Sequence, residues 1–427
     1  MRLEEIKEIL CESGADDWEI RCTREHGWEF YLIRDKLDQN RVKDTTRINI
    51  TVYVRNNGML GNASGNIAVT EEPQNVKKEI ESLVYQASLA QNNDYTLHTP
   101  KKAPPLASQP FDIAMTASDF IHALQEVKQG EDADINSTEI FVSSITSRLV
   151  TSQGIDIEET YPSSMAEVIV NARDEKSEIE LYRMYRSGTC AQQRLKSDIE
   201  KTMMYGLDRL KAMPTPDLKE CDVVFSTDDA VRIYDYFIER LSASMIYQKY
   251  SDWQIGEPIA NDVVGDKITL RSLRYLENSS ANMPYDKEGG VICDIDLLKD
   301  NVPEAYWGDR MFASYLGLAD AFILSNYEAT GGRMAMEELR KGRYLEIVEF
   351  SDFQVNPING SIFGEIRLGY YHDGETTMIV KGGSVSGTML DYVKDIRMSR
   401  ELVQYDNARI PALTRIANVT IAGSGLA

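Results

Sequence analysis

The sequence predicts an α+β protein of two domains: an N-terminal layer of helices and antiparallel strands, and a C-terminal domain rich in strands with some helices. The chain has 427 residues, too many for one ordinary hydrophobic core, so two units of about 200 residues are expected. Stretches with the two-residue period of strands also alternate with stretches of helical period. The segment Met213-Pro214-Thr215-Pro216 ends a long helical pattern, so we place the boundary there, giving domains 1–215 and 216–427.

The first half is predicted to consist of helices packed on antiparallel strands. Asn57-Gly58 is a strong signal for a hairpin turn, and Pro73 suits the first turn of a helix. Prolines between 98 and 110 predict an extended connection. In order, the predicted elements are a helix at 2–12, strands between 17 and 54, a helix from Pro73, the extended connection, a helix at about 118–129, strands around 140–150 and 165–171, and a long helix at 191–213.

The second half opens with a strand that leads directly into a helix. Val223, Val224 and Phe225 form a short apolar run, and the residues at 226–228 offer N-cap side chains. One apolar stripe then recurs through a helix at 228–248, which makes this helix the first place to look for catalytic groups. The later predicted elements are an acidic, glycine-rich loop at 286–294, a helix within 312–325, strands between 344 and 380 with turns at Asn359-Gly360 and Asp373-Gly374, a helix at 388–396 and a final strand at 419–421.

Composition excludes several classes of protein. The net charge is −22, from 46 basic and 68 acidic residues, and this field opposes direct binding to nucleic-acid phosphates. No run of about 18 apolar residues is present to span a bilayer, and the N-terminal segment has too many acids for a signal peptide. A cytoplasmic location is therefore expected. The five cysteines are scattered and form no C-x-x-C pair, which predicts reduced thiols and neither a disulfide framework nor a zinc knuckle: Cys11, Cys22, Cys190, Cys221 and Cys293.

Metal and nucleotide motifs are scarce, so the spacing predicts no metal site and no cofactor. Four isolated histidines form no metal-binding pattern. No G-x-S-x-G nucleophile elbow is present, and the segment 382–387 is interpreted as a tight turn in which glycines allow close backbone approach. Gly331-Gly332-Arg333 lacks the ending of a phosphate loop. The histidines are His26, His98, His122 and His372.

Two carboxylate pairs could carry chemistry. Asp235 and Glu239 lie four residues apart on the helix at 228–248 and would share a face, and Asp286 and Glu288 share a loop. Such pairs could hold a divalent cation or perform acid–base catalysis. Arg232 and Arg240 border the helical pair and could neutralise it, and a solvated, salt-bridged face is the favoured interpretation.

Several segments together resemble the TldD/PmbA family, whose PmbA members are also called TldE and were first named modulators of DNA gyrase. The resemblance covers almost the whole chain and depends on the order and spacing of weak local matches. It implies a two-domain α+β fold with a β-rich C-terminal half. It also implies a pair of subunits that cuts unfolded or extended peptides: a TldD zinc metallopeptidase and a TldE/PmbA subunit without the metal. The matching segments are Ser13-Gly14-Ala15-Asp16, 48–54 with Gly58, Gly61-Asn62-Ala63-Ser64, Val223-Val224-Phe225-Ser226, 251–257, 285–289, Ile410-Pro411 and 419–423.

A departure from the family pattern indicates which subunit this chain resembles. TldD-type chains carry H-E-x-x-x-H on the helix after the Val-Val-Phe-Ser-like strand, where two imidazoles bind zinc and the glutamate polarises water. The corresponding positions here are Tyr234, Asp235 and Glu239. TldD-type chains also use a later cysteine as a ligand, and this sequence has none after Cys293. The resemblance therefore implies a TldE/PmbA-like, non-catalytic partner of a TldD-like metallopeptidase, with a degenerate active site and no metal or cofactor of its own.

Two other functions remain open from the sequence. The chain could be an autonomous hydrolase that uses the four carboxylates of the two pairs, with a cation other than zinc. It could also be a homodimeric peptide-binding or chaperone-like module, and a homodimer of the isolated chain is compatible with every hypothesis. Extended peptides are the expected ligands in the first and third cases, because a sheet edge binds them with little dependence on sequence.

Overall fold

The computed structural model describes residues 3–107 and 110–425 and has the α+β architecture that the sequence predicts. One seven-stranded sheet lies in the first half, and a six-stranded and an eight-stranded sheet lie in the second. The first sheet ends at Ser187, and the strands of the other two begin at Met213. The sheets thus divide in the region of the proposed boundary, and the boundary between 215 and 216 remains a prediction. Among the described helices, none has the length and apolar character needed to span a bilayer.

The N-terminal sheet is antiparallel, with the strand order β4-β3-β2-β1-β5-β6-β7. Trp18, Ile20, Trp28 and Phe30 project from one face of β1, since successive side chains alternate across a strand. The first two pack under α1 and α2, and the last two under α3 and α4, so all four helices cover the same face. The elements are α1 (Leu3–Cys11), β1 (Asp17–Ile33), β2 (Lys36–Asn56), β3 (Met59–Ile67), α2 (Pro73–Leu89), β4 (Asn92–Asn93), α3 (Ile113–Gln125), β5 (Ala133–Thr151), β6 (Asp156–Arg173), β7 (Glu178–Ser187) and α4 (Gln192–Lys211).

Strands in this half are longer than predicted, and β3, β4 and β7 were not predicted as strands. The alternation of β7 is present in the sequence, since Ile179 and Leu181 pack inward between charged neighbours, but the charged residues obscure it. Helix α3 begins five residues before the predicted start, because Asp112 caps it by accepting a hydrogen bond from Met115 N at 2.7 Å. Residue 2 of the predicted first helix and residues 108–109 of the predicted extended connection lie outside the described residues.

The C-terminal half contains two sheets with helix α5 between them. The eight-stranded sheet has the order β14-β9-β21-β17-β15-β16-β8, with β18 beside β21, and β14 also pairs with β15, so five strands form a closed ring. The six-stranded sheet has the order β12-β11-β10-β13-β20-β19. The elements are β8 (Met213–Pro214), β9 (Leu218–Phe225), α5 (Val231–Arg240), α6 (Ala243–Tyr247), β10 (Leu270–Leu273), β11 (Ile295–Lys299), β12 (Val302–Pro303), α7 (Arg310–Tyr315), β13 (Asn326–Ala329), α8 (Met336–Leu339), β14 (Tyr344–Val355), β15 (Ser361–His372), β16 (Thr377–Lys381), β17 (Ser384–Thr388), α9 (Met389–Tyr392), β18 (Ile396–Met398), β19 (Leu402–Tyr405), β20 (Ala408–Pro411) and β21 (Thr414–Ala422).

The single helix predicted at 228–248 is wrong. A 3₁₀ turn at Asp228–Ala230 precedes α5, and Ser242 interrupts the helix before α6. The interruption occurs because Ser242 adopts an extended conformation and the next residue's N–H donates to the carbonyl of Trp307 at 2.7 Å. The predicted side-chain cap is also absent: Thr227 holds the N-cap position without a side-chain hydrogen bond.

The apolar stretch predicted to be helical within 312–325 is helical only in part. Helix α7 begins after Asp309, whose carboxylate accepts a hydrogen bond from Phe312 N at 2.9 Å. It ends at Tyr315, because Gly317 turns the chain with a φ of +71°. Hydrophobicity alone therefore overestimated the length of this helix.

Segment 382–387 brings two backbones close together, as predicted, and the loop of Gly331 and Gly332 does the same. A Cβ on Gly383 would overlap the carbonyl oxygen of Ala422, and a Cβ on Gly332 would overlap that of Met398. Since only glycine permits such an approach of two backbones, these glycines serve packing.

Candidate functional site

The junction between β9 and α5 is built into the core of the C-terminal half. Strand β9 lies between β14 and β21, and Phe225 at its end packs on Phe350 with 6.1 Å between ring centroids. Helix α5 then runs between the two sheets and contacts both β14 and β20. Packed side chains therefore surround most of helix α5, which carries the residues that align with the zinc motif.

Tyr234 is sealed in this core. Its side chain is 0% exposed, and its hydroxyl lies 2.7 Å from Thr414 Oγ1. Burial raises the pKa of the phenol well above its ordinary value, because a phenolate would lose its hydration there. A neutral, hydrogen-bonded phenol is not a zinc ligand.

Asp235 has partners of its own. Its Oδ1 accepts a hydrogen bond from the Tyr327 hydroxyl at 2.8 Å, and its Oδ2 lies 3.5 Å from the Arg232 guanidinium. Burial raises the pKa of Asp235, while Tyr327 and Arg232 act in the opposite direction. The predicted pairing with Arg232 is present, although at 3.5 Å the contact is loose.

Glu239 lies away from Tyr234 on the helix. Five residues correspond to a rotation of about 140°, and Glu239 is exposed whereas Tyr234 is buried. Asp235 and Glu239 share a face, as expected, and burial together with repulsion from Asp235 raises the pKa of Glu239. These three residues therefore do not fit a zinc ion.

Arg240 does not neutralise this pair, contrary to the sequence interpretation. Its side chain is buried and donates to the carbonyls of Pro357 and Ile358 at 3.2 and 3.1 Å. Its second terminal nitrogen donates to Asp252 at 2.7 Å. The guanidinium therefore stabilises a turn, and of the two predicted arginines Arg232 is the one that acts electrostatically on Glu239.

The second carboxylate pair has different neighbours from the first. Asp286 holds its own loop by accepting backbone hydrogen bonds from Glu288 and Gly290 through Oδ1, at 2.8 and 2.9 Å. Glu288 accepts one from Arg310 N at 2.8 Å. The structure thus does not place the four carboxylates in one catalytic cluster. Within residues 3–107 and 110–425, no group of three or more His, Cys, Asp or Glu side chains is arranged to hold a metal ion.

Sequence reasoning missed Glu19, which projects from the face of β1 that the helices leave uncovered. Burial, together with repulsion from Glu288, raises the pKa of Glu19 to about 7. Burial likewise raises the pKa of Glu288 to about 7. Glu19 stands between Trp18 and Ile20 in an ordinary strand pattern, so no local signal distinguishes it from a solvated strand glutamate.

The C-terminal half matches a known family. Residues 218–423 match the sequence model of the PmbA/TldA metallopeptidase C-terminal domain. The C-terminal half of the chain belongs to the TldD/PmbA family. Within this family, the chain is 21% identical to the protein named metalloprotease PmbA of Escherichia coli O157:H7 over 179 residues. That match covers 41% of this chain and 39% of the relative, so the relative's activity enters here only as a proposal.

Solved structures show that this chain shares its fold with three proteins of known structure. TldE from Thermococcus kodakarensis superposes with a TM-score of 0.78 at 14% identity, covering 98% of this chain and 100% of that one. A candidate modulator of DNA gyrase from Thermotoga maritima gives 0.78 at 16% identity with the same coverage. Another from Bacteroides thetaiotaomicron gives 0.78 at 15%, covering 98% of each chain. Identities this low establish the common fold and nothing finer.

Proposed function

We propose that this chain is the non-catalytic, TldE/PmbA-like subunit of a peptidase complex, in which a TldD-like metallopeptidase subunit supplies the zinc ion and the chemistry. The substrates of the complex are unfolded or extended peptides. The proposal includes the cytoplasmic location expected from the sequence.

The burial of Tyr234 carries this proposal. At the position that aligns with the first zinc-binding imidazole lies Tyr234, whose phenol is hydrogen-bonded to Thr414 inside the core. At the position of the second lies the exposed carboxylate of Glu239. Zinc sites in peptidases need three protein ligands and an open position for water. On this proposal, the helix keeps the position of an active site without its ligands, and the family match of the C-terminal half supports a metallopeptidase partner as the source of activity.

The proposal is tested by measuring zinc content and peptide hydrolysis for this chain alone, for a TldD-like partner alone, and for the mixture. We expect no zinc and no hydrolysis with this chain alone, and hydrolysis in the mixture. Asp235→Asn and Glu239→Gln should leave the activity of the mixture within about twofold of the parent. Hydrolysis by this chain alone that disappears with either substitution would establish the autonomous hydrolase instead.

A third outcome separates the homodimeric module from both enzymes. If this chain remains a homodimer when mixed with the TldD-like protein, and the mixture gains no activity over the partner alone, the subunit proposal is wrong. Size-exclusion chromatography with light scattering on the same mixtures distinguishes a heteromer from two separate species.

A further inference from the structure

A groove lies between the N-terminal sheet and the six-stranded sheet. Its main cavity has a volume of about 470 Å³, within the range of roughly 300–1,000 Å³ that is usual for ligand sites. A smaller chamber of about 90 Å³ continues it toward the start of the 3₁₀ turn at Asp228. Five residues line both cavities: Met184, Tyr185, Arg194, Asp228 and Tyr405.

Two sheet edges border this groove. Strand β7 is the last strand of its sheet, and β19 is the last strand of the six-stranded sheet. Four consecutive residues at 184–187 and three at 404–406 line the main cavity. A strand that presented one face would contribute only alternate residues, because successive side chains point to opposite faces. Consecutive lining residues therefore mean that the edges of the strands, which carry unpaired N–H and C=O groups, border the cavity.

The walls suit a main chain with mixed side chains. Phe120, Leu195 and Tyr405 provide apolar surface, and the Arg194 guanidinium lies 5.4 Å from the centre of the Tyr405 ring. Four carboxylates and four cationic side chains line the two chambers, so the groove has no net charge. A balanced groove complements an overall neutral polar ligand better than a phosphorylated ligand, which needs clustered cations.

We propose that this groove binds an extended peptide, which adds as a strand to the edge of β7 and places its side chains between Leu195 and Tyr405. Main-chain hydrogen bonds then supply affinity that depends little on sequence. This inference deepens the proposed function and rests on it for the class of ligand, because it gives the subunit without a metal site a part in holding the substrate.

The test measures binding to the chain alone, so it does not depend on a metallopeptidase partner. A short, unstructured, fluorescently labelled peptide is titrated by anisotropy, beside the same sequence with every peptide nitrogen methylated. We expect the methylated peptide to bind at least tenfold more weakly, because it cannot donate to the carbonyls of β7. Equal affinities would overturn the proposal.

A substitution in the groove locates the binding site. Ala191→Trp fills the cavity at the start of α4 and should weaken binding at least tenfold, while Ala114→Trp, on the exposed side of α3, should leave it unchanged. Met184→Trp, at a side chain 43% exposed on the edge of β7, provides a second test if the first variant does not fold. Unchanged binding in a folded groove variant rules out this site. Such a result would contradict the peptide-binding groove but not the proposed role as a peptidase subunit. Conversely, an inactive mixture in the hydrolysis assay would contradict the subunit role but not peptide binding in the groove.

Discussion

The hydroxyl of Tyr234 lies 2.7 Å from Thr414 Oγ1, and both side chains are completely buried. Tyr234 belongs to α5 and Thr414 begins β21, so this hydrogen bond joins the helix to the ring of strands. The resemblance implies that TldD-type chains hold an imidazole at this position. Here the side chain at this position stabilises the fold. The side chain at this position therefore fastens the helix to the strands.

Removing this hydroxyl should destabilise the protein. Tyr234→Phe deletes one buried hydrogen bond and leaves Thr414 without its partner, which costs about 1–3 kcal/mol of the free energy of unfolding. The urea midpoint should therefore fall. Tyr85→Phe removes a hydroxyl from a side chain that is 66% exposed and should leave the midpoint unchanged. Equal midpoints for the two variants would contradict a structural role for the Tyr234 hydroxyl.

The pair Glu19 and Glu288 predicts a pH dependence of stability. Both pKa values are raised from an ordinary value of 4.5 to about 7. Between these values the folded state holds more protons than the unfolded state, so stability falls as the pH rises. Glu19→Gln removes the ionisation, and it should raise the free energy of unfolding at pH 8 by about 1–3 kcal/mol and much less at pH 4.5.

Denaturant unfolding at the two pH values measures this difference. Glu375→Gln, at an exposed turn residue, serves as the control and should change stability equally at both. The explanation fails if Glu19→Gln has the same effect at pH 4.5 as at pH 8.

The buried ion pair of Arg183 and Glu349 connects the two halves. Arg183 lies on β7 and Glu349 on β14, and their side chains are 19% and 9% exposed. Arg183→Met leaves the carboxylate unpaired and should cost about 3–5 kcal/mol. Arg183→Met with Glu349→Met removes both charges and should recover most of that loss. A double variant as unstable as the sum of the single variants would show that the two side chains do not act as a pair.

Strand and helix patterns predicted the fold class and most elements, because they report which face of each element is buried. Helix α2 begins at Pro73 as predicted, and α4 ends just before Met213. The errors arise where tertiary contacts override local preference. The carbonyl of Trp307 accepts the hydrogen bond that divides the helix expected at 228–248. No residue within that segment indicates a hydrogen-bond partner more than sixty positions away.

The site was predictable only in part, for the same reason. Spacing on the helix correctly placed Asp235 and Glu239 on one face, and the lack of imidazoles on α5 is readable directly. The electrostatic repulsion between Glu19 and Glu288 requires the packing of two halves that are distant in sequence. The groove between β7 and β19 requires the order of strands in two sheets, and sequence periodicity does not give that order.

Arg240 provides the last prediction, because its environment was misjudged from the sequence. It is 4% exposed, lies 4.9 Å from the centre of the Trp253 ring, and donates to three backbone carbonyls and to Asp252. A lysine ammonium cannot reproduce this planar fork of donors, so Arg240→Lys should cost about 1–3 kcal/mol. Asp252→Asn should cost less than about 1 kcal/mol, because the Asp252 side chain is 89% exposed.

Arg333→Lys, at a side chain 90% exposed, is the matched control. Thermal unfolding should show the largest loss of stability for Arg240→Lys, a smaller loss for Asp252→Asn and the smallest for Arg333→Lys. If Arg240→Lys unfolds at the same temperature as Arg333→Lys, the guanidinium does not hold the turn at Pro357 and Ile358.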